Sequence, residues 1–309
     1  MSQITVLLAT YNGSKYVRQM IDSVLAQDDS DFRLVLSDDG SKDDTPRILD
    51  EYAEKYPQKI THYRSGMRFG NAQDHFMHLL DRFHETAYIM FCDQDDYWHP
   101  DKIRKTLEKM RSVEKADMPA MVHTDLRVVD GNLKEMNPSF MHFSKHRGDR
   151  LALNQLLVQN VVTGCTMMIN KALAELACSH MPKERILMHD WWLALIASAM
   201  GTTGYLDEAT IDYRQHGNNV VGAKNTRSVK YIANKLRENK IRTAMEQTYA
   251  QAAVFESCFA DVLDAESMMV VRAYAGLCHR GFLGRRMAFV KNGFYKIGIS
   301  RILGQMLFG

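Results

Sequence analysis

Residues 90–100 read MFCDQDDYWHP, an apolar run with the look of a buried strand that stops at three carboxylates, Asp93, Asp95 and Asp96. Like charges this close are costly unless something positive sits among them, whether a metal ion, basic side chains or water. Asp93 and Asp95 are alternate residues, so in an extended backbone both point the same way and can face one ligand. A few hard oxygen ligands with open positions suit Mg2+ or Mn2+ bridging to a diphosphate. The competing reading is an acidic loop capping a helix that begins near Asp101.

Upstream, the same pattern of strand followed by acid recurs. ITVLLA (4–9) reads as a buried strand, followed by a turn at Asn12-Gly13 and a helical pattern over about 15–27 capped by Ser14. FRLVLSD (32–38) is a second strand, followed by a Gly-Ser turn and a helix over about 45–55; ITHYR (60–64) and AYIMFCD (87–93) repeat the strand pattern. Strands alternating with helices predict an α/β fold, a mostly parallel sheet with right-handed crossovers. Ligands of such sheets bind outside the carboxyl ends of the strands, so Asp38, Asp39, Asp93 and Asp95 should converge on one crevice. Downstream, AMVHTDLRVVD (120–130) and TGYLDEATIDYR (203–214) are further strands, with HDWWLALIASAMG (189–201) a helix between them. Beyond about Ser228 only amphipathic helical signals remain.

Composition sets the limits. The 309 residues are enough for one large domain and an appendage, and a hydrophobic content of 46% supports a real core. The formal net charge of +2 hides an asymmetry: from Lys224 onward there are 14 Lys and Arg against 6 Asp and Glu, leaving 25 against 31 before it. An acidic front and a basic tail should have different partners. The five cysteines are odd in number and show no close CxxC pair, which fits reduced thiols better than disulfides or a zinc site. No segment has the length and apolarity of a signal peptide or membrane span, so a cytoplasmic protein is expected.

Four further stretches can carry chemistry. SDDGSKDDT (37–45) can be a plain turn and helix cap, or its carboxylates can accept from a nucleobase N–H or a ribose hydroxyl. Asp190 falls at a helix N-terminus, where it is either a dipole-favoured acid or a general base taking a proton from a hydroxyl. Trp191 and Trp192 follow it, as core or as a stacking surface for a sugar ring. YRQHGNNVVG (213–222) sets Arg214 and His216 beside a turn, as surface loop or as phosphate and metal ligands. Cys165 reads as a buried small hydrophobe rather than a nucleophile. With no Gly-rich phosphate loop present, phosphate charge would fall to a metal and scattered basic groups.

In this order, LLATYNG (7–13), SDDGSKDDT (37–45), DQDDYWHPDKI (93–103), TGCTMMIN (163–170) and HDWW (189–192) resemble family 2 glycosyltransferases of the GT-A fold, over roughly residues 3–222. The last stretch, with YRQHGNNVVGA after it, looks most like the bacterial rhamnosyltransferase branch. The resemblance implies that Thr10 and Asp39, with Asp38, hold the nucleoside, and that Asp93 and Asp95 correspond to the DxD pair, Asp95 toward the metal and Asp93 toward the ribose. It implies Asp190 as catalytic base, His216 and Arg214 at the metal or diphosphate, and Trp191, Trp192 and Gly164 at the acceptor. His189 stands where many relatives carry Glu. The expected reaction is inverting transfer, with Mg2+ or Mn2+, from a nucleotide-sugar donor (dTDP-L-rhamnose, or a UDP-sugar) to a lipid-linked saccharide.

The chain therefore divides into a catalytic domain at 1–223 and a basic helical region at 224–309. That region interleaves Arg and Lys with Phe, Tyr, Leu and Ile, as a packed subdomain, a homo-oligomer contact or a surface for anionic lipid. Peripheral attachment to the inner membrane face is the expectation; nucleic acid is not, since the tail carries no recognisable motif. A sugar-1-phosphate nucleotidyltransferase and a non-catalytic membrane-surface scaffold are the alternatives.

Overall fold

The structure, a computed structural model, describes residues 2–184, 186–215 and 238–309. Its first half alternates β1 (Ile4–Thr10), α1 (Val17–Leu25), β2 (Phe32–Asp38), α2 (Thr45–Lys55), β3 (Ile60–Tyr63), α3 (Ala72–Arg82) and β4 (Tyr88–Asp93). After β5 (Tyr97–Trp98) and α4 (Lys102–Val113) come β6 (Ala120–Val129), β7 (Glu135–Asn137), α5 (Phe140–Ser144) and α6 (Leu153–Leu156). Next are β8 (Met167–Asn170), α7 (Lys171–Ser179), α8 (His189–Met200) and β9 (Thr202–Arg214). Among the described residues four more helices follow: α9 (Glu238–Cys258), α10 (Ala265–Ala275), α11 (Phe282–Asn292) and α12 (Ile299–Phe308).

One sheet runs in the order β3-β2-β1-β4-β8-β6-β9-β5, with β7 paired to β6. β1 to β4 are parallel, as their continuous apolar runs require of strands covered on both faces. Alternate residues feed two separate cores: Val6, Leu8, Leu34, Leu36 and Met90 join one, and Leu7, Val35, Ile89 and Phe91 the other. Beyond β4 the sheet is mixed, because the short β8 inserts antiparallel to both β4 and β6, while β6 and β9 pair in parallel. Asn170 fixes that insertion: its side chain accepts from Ala120 N (2.9 Å), donates to Met118 O (2.8 Å) and caps α7 through Leu173 N.

α1 starts later than expected, and Ser14 does not cap it: the Ser14 N–H donates instead to Asp43 Oδ2 (3.1 Å). The loops after β1 and β2 are thus tied together. Asn12, in the left-handed conformation with φ 48°, accepts from Lys42 N (2.8 Å), and Gly13 N donates to Thr45 Oγ1 (2.8 Å).

Residue 223, the expected boundary, lies outside the described residues. The helices beyond it share a core with the first part. Tyr249, Phe255, Phe259, Tyr274, Phe289 and Phe294 are buried in the same cluster as Phe91, Trp192 and Leu193. No described helix is long and apolar enough to cross a membrane.

Candidate active site

Strand register brings the predicted residues to one edge. Thr10 lies opposite Asp38 and Ala9 opposite Asp93, so the ends of β1, β2 and β4 open into a common crevice. Asp38 is committed to building that edge: it accepts from Thr10 Oγ1 (2.9 Å), Gly40 N (3.0 Å) and Ser41 N (2.8 Å). Asp39 is buried and accepts from Phe69 N (2.5 Å) and Gly70 N (2.8 Å), closing the loop after β3 over the crevice. The Phe69 ring stacks on His75 at 4.8 Å, and His75 Nε2 meets Ser37 Oγ at 2.8 Å. Next to Thr10, the half-exposed Tyr11 is held by a reciprocal pair: its N–H donates to Gln94 Oε1 (2.8 Å) and its carbonyl accepts from Gln94 Nε2 (3.0 Å).

The acids that end β4 do not all face one way. Asp93 is partly exposed in the crevice, whereas Asp96 is fully buried. Asp96 Oδ1 accepts from Arg214 N (3.2 Å), while its Oδ2 has no hydrogen-bond partner among the described residues. Donor atoms of Asp93, Asp96 and Cys165 lie within 4.8 Å of one another. Burial and the facing charges of Asp95 and Asp190 push the Asp93 carboxyl up to about 7. Burial, with Asp95 and Asp93 beside it, also raises Asp96 well above the ordinary carboxylate range. Carboxyls this reluctant to ionise, one with an unpartnered buried oxygen, fit a divalent cation, and their hard oxygens suit Mg2+ or Mn2+. Below them Lys102 is buried, its Nζ 4.9 Å from the Trp98 ring centre, and burial brings it down to about 8. Burial raises the Cys165 thiol well above its usual range, so it stays neutral.

Arg214 faces inward, away from the role of phosphate ligand. Its guanidinium donates to Asp95 O (2.7 Å), Gly131 O (3.0 Å) and Gln19 Oε1 (2.7 Å), and lies 4.5 Å above the Tyr16 ring. The planar fork clamps the acidic turn to α1, a structural use of Arg that Lys could not reproduce. His216 lies outside the described residues.

Asp190 sits in the first turn of α8 and is buried. Its Oδ1 accepts from Asn160 Nδ2 (3.1 Å) and Trp191 N (2.6 Å), and its Oδ2 from Gly164 N (2.9 Å). Burial raises it to about 6, against the pull of these three hydrogen bonds. A carboxyl so placed is charged at neutral pH yet basic enough to take a proton. Gly164 therefore acts on the Asp190 carboxylate through its N–H. It is also where a side chain cannot fit, since a Cβ there would lie 2.6 Å from His189 Nε2. The His189 ring is buried against Phe76 and Phe91, with neither nitrogen hydrogen-bonded among the described residues, and burial lowers it to about 3.

Trp191 and Trp192 part company. Trp191 is half-buried against the core, its Nε1 donating to Leu156 O (2.6 Å). Trp192 is wholly buried, edge-on to Phe255 at 5.3 Å and near Phe259 at 5.9 Å, so it is core and presents no face to a sugar. Reading the sequence missed Asn160, Gln94 and the inward turn of Asp96. Asn160 has no local signal, being 30 residues from the carboxylate it orients.

The family model Glycosyl transferase family 2 matches residues 5–176, more than half of the chain. The chain is 30% identical over 241 residues to dTDP-rhamnosyl transferase RfbG of Shigella flexneri, covering 75% of this chain and 80% of that one. It is 33% identical over 133 residues to chondroitin synthase of Escherichia coli, covering 42% of this chain but only 18% of that enzyme. Among solved structures, S. aureus TarS 1–349 in complex with UDP-GlcNAc matches 95% of this chain and 93% of its own, with a TM-score of 0.55 at 15% identity. The mannosyltransferase PcManGT from Pyrobaculum calidifontis, in complex with GDP-Man and Mn2+, matches 99% of this chain and 84% of its own, with a TM-score of 0.53 at 17% identity. The fold is thus GT-A, and the chain belongs to glycosyl transferase family 2.

Proposed function

We propose that the protein is an inverting, metal-dependent glycosyltransferase that moves a sugar, L-rhamnose first among candidates, from its dTDP donor to a hydroxyl of a lipid-linked glycan. The observation that carries this reading is the strand register that brings Thr10, Asp38 and Asp93 to one edge, together with a buried carboxyl, Asp190 at the start of α8, held by Asn160 and by the Gly164 N–H. Thr10, Asp39 and the exposed ring of Tyr11 line the nucleoside end. Asp93 and Asp95, with Asp96 behind them, would hold Mg2+ or Mn2+, which supplies charge neutralisation for the diphosphate.

Asp190 accepts the proton of the acceptor hydroxyl, whose oxygen forms a bond to the anomeric carbon from the face opposite the diphosphate. The carbon–oxygen bond to the diphosphate breaks, and the nucleoside diphosphate leaves with the electron pair. One displacement inverts the configuration, so a β-linked dTDP-L-rhamnose gives an α-linked product. Asn160, Gly164 N–H and the N-terminus of α8 keep the carboxylate aimed while it is charged. Work on a lipid-linked acceptor would place the protein at the inner face of the membrane. The likeness to RfbG favours dTDP-rhamnose over a UDP-sugar.

Calorimetric titration with dTDP, UDP and GDP, each with and without Mn2+, tests the donor. Metal-dependent binding selective for dTDP is expected. Preference for UDP would change the sugar, and absence of binding to all three would overturn the reading in favour of a scaffold.

A further inference from the structure

The C-terminal helices leave an apolar face uncovered. On α11, Leu283 (74% exposed), Met287 (73%) and Val290 form one stripe at i, i+4 and i+7, with Phe282 beside it. On α12, Ile299 (79% exposed), Leu303 and Leu307 form another at i, i+4 and i+8. The opposite sides of both helices are anchored: Ala288 and Phe289 of α11, and Gly304 and Gln305 of α12, are buried. Arg286 joins the helices, its Nε donating to Met306 O (2.8 Å) and another nitrogen to Gly309 O (2.7 Å). Each stripe therefore lies on the solvent side of its helix, and Arg286 ties α11 to the C-terminal end of α12.

Charge selects what covers them. From residue 267 to 309 there are seven Arg and Lys and no Asp or Glu; Arg272 pairs with Glu256 (2.7 Å), Arg286 and Arg301 donate to backbone carbonyls, and Arg280 and Lys291 are exposed beside the stripes. A second copy meeting this face through its own would set cations against cations, and a nucleic acid would match the charge while leaving the apolar stripes in water. An anionic bilayer satisfies both, with apolar side chains entering the acyl boundary and Arg280 and Lys291, both exposed, at the headgroups.

The face is also coupled to the acceptor side of the crevice. Ile297, two residues before α12, donates its N–H to Gln159 Oε1 (3.0 Å), and the next residue, Asn160, holds the base Asp190. Asn154 Nδ2 donates to Asn292 O at the end of α11 (2.9 Å), and Arg150 to Tyr295 O (2.7 Å).

We propose that the exposed face of α11 and α12 docks on an anionic lipid bilayer, through helices that are hydrogen-bonded to the segment 150–160 that orients Asp190. The purpose of this docking rests on the reading of a lipid-linked acceptor; the docking itself does not. The test is co-sedimentation of the full chain with vesicles of phosphatidylglycerol and phosphatidylcholine against vesicles of phosphatidylcholine alone. The wild type is compared with Leu283→Glu/Ile299→Glu/Leu303→Glu and with Arg280→Glu/Lys291→Glu. These are surface positions, and circular dichroism with Mn2+-dependent dTDP titration checks that each variant is folded. Salt-sensitive binding to the anionic vesicles, weakened roughly tenfold or more in each variant, is expected from the apolar and charge contributions. Wild-type binding no better to anionic than to neutral vesicles, or apolar variants that bind as the wild type does, would overturn the proposal. So would a dimer in light scattering that the apolar variant dissolves, since the face would then be an interface between copies. Vesicle binding uses no donor, so loss of dTDP binding alone would sink the catalytic reading and leave the docking intact.

Discussion

Replacing Gly164 by Ala separates a glycine that contacts acceptor from one that positions the base. An added Cβ would stand 2.6 Å from His189 Nε2 and 3.0 Å from Cε1. The ring cannot retreat, being buried with its centre 4.5 Å from that of Phe76 and 5.1 Å from that of Phe91. Moving from 2.6 Å to the 3.4 Å at which ordinary contact begins requires a displacement of 0.8 Å. The 163–166 turn must absorb it, at a cost of about 1–3 kcal/mol for overpacking. That turn carries the N–H donated to Asp190 Oδ2, so the carboxylate follows. A misplacement of about 1 Å costs on the order of 100-fold, so kcat should fall roughly 10- to 100-fold. Mn2+-dependent dTDP affinity, measured by calorimetry, should hold. Removing the obstacle in Gly164→Ala/His189→Ala should restore part of kcat, a coupling that a double-mutant cycle measures. Full turnover by Gly164→Ala, or a loss confined to acceptor KM that His189→Ala does not relieve, would refute the argument and return Gly164 to acceptor contact.

Asp190→Asn should abolish transfer while leaving donor binding intact; retained turnover would remove Asp190 from the role of base. Because Asp190 is raised to about 6, chiefly by burial, kcat/KM of the wild type should fall as pH drops through about 6, tenfold per unit below it. The sign for stability is opposite. A carboxyl with a raised native pKa stabilises below the unfolded value near 4 and loses that contribution as pH rises through about 6, a change of about 3 kcal/mol that urea melts across this window would detect. Arg214→Lys should weaken Mn2+-dependent dTDP binding by roughly 10–100-fold, the range for a residue that orients metal ligands. A loss of nucleotide affinity equal with and without Mn2+ would show Arg214 acting on phosphate instead. Trp192→Ala should destabilise by about 3–5 kcal/mol in urea unfolding, because it empties the contact with Phe255 and Phe259. Unchanged stability with a raised acceptor KM would make it a sugar platform after all.

What was legible in the sequence follows from how each signal arises. β1, β2 and β4 announce themselves because strands buried on both faces need long apolar runs, and their polar ends mark the crevice edge. β8 does not, since four residues leave no period to read, and its antiparallel insertion depends on Asn170 bridging to Met118 and Ala120, 50 or more positions away. The sequence leaves open which of Trp191 and Trp192 is core, and it offers Arg214 only to a surface loop or to phosphate, whereas Trp192 and Arg214 both face inward. Which way a side chain points is decided by partners such as Phe255 and Gln19, distant in sequence. The acids of DQDD show the limit most plainly. Alternation pairs Asp93 with Asp95 only while the backbone stays extended, and β4 ends at Asp93. The chain then turns through Gln94 and Asp95, so the side chain carried into the buried layer behind Asp93 is Asp96, where it meets the backbone of Arg214. A third acid in the motif thus follows from the turn that the period-two rule leaves out, and it is the gathering of Asp93, Asp96 and Cys165 donor atoms within 4.8 Å of one another that gives a cation a place there.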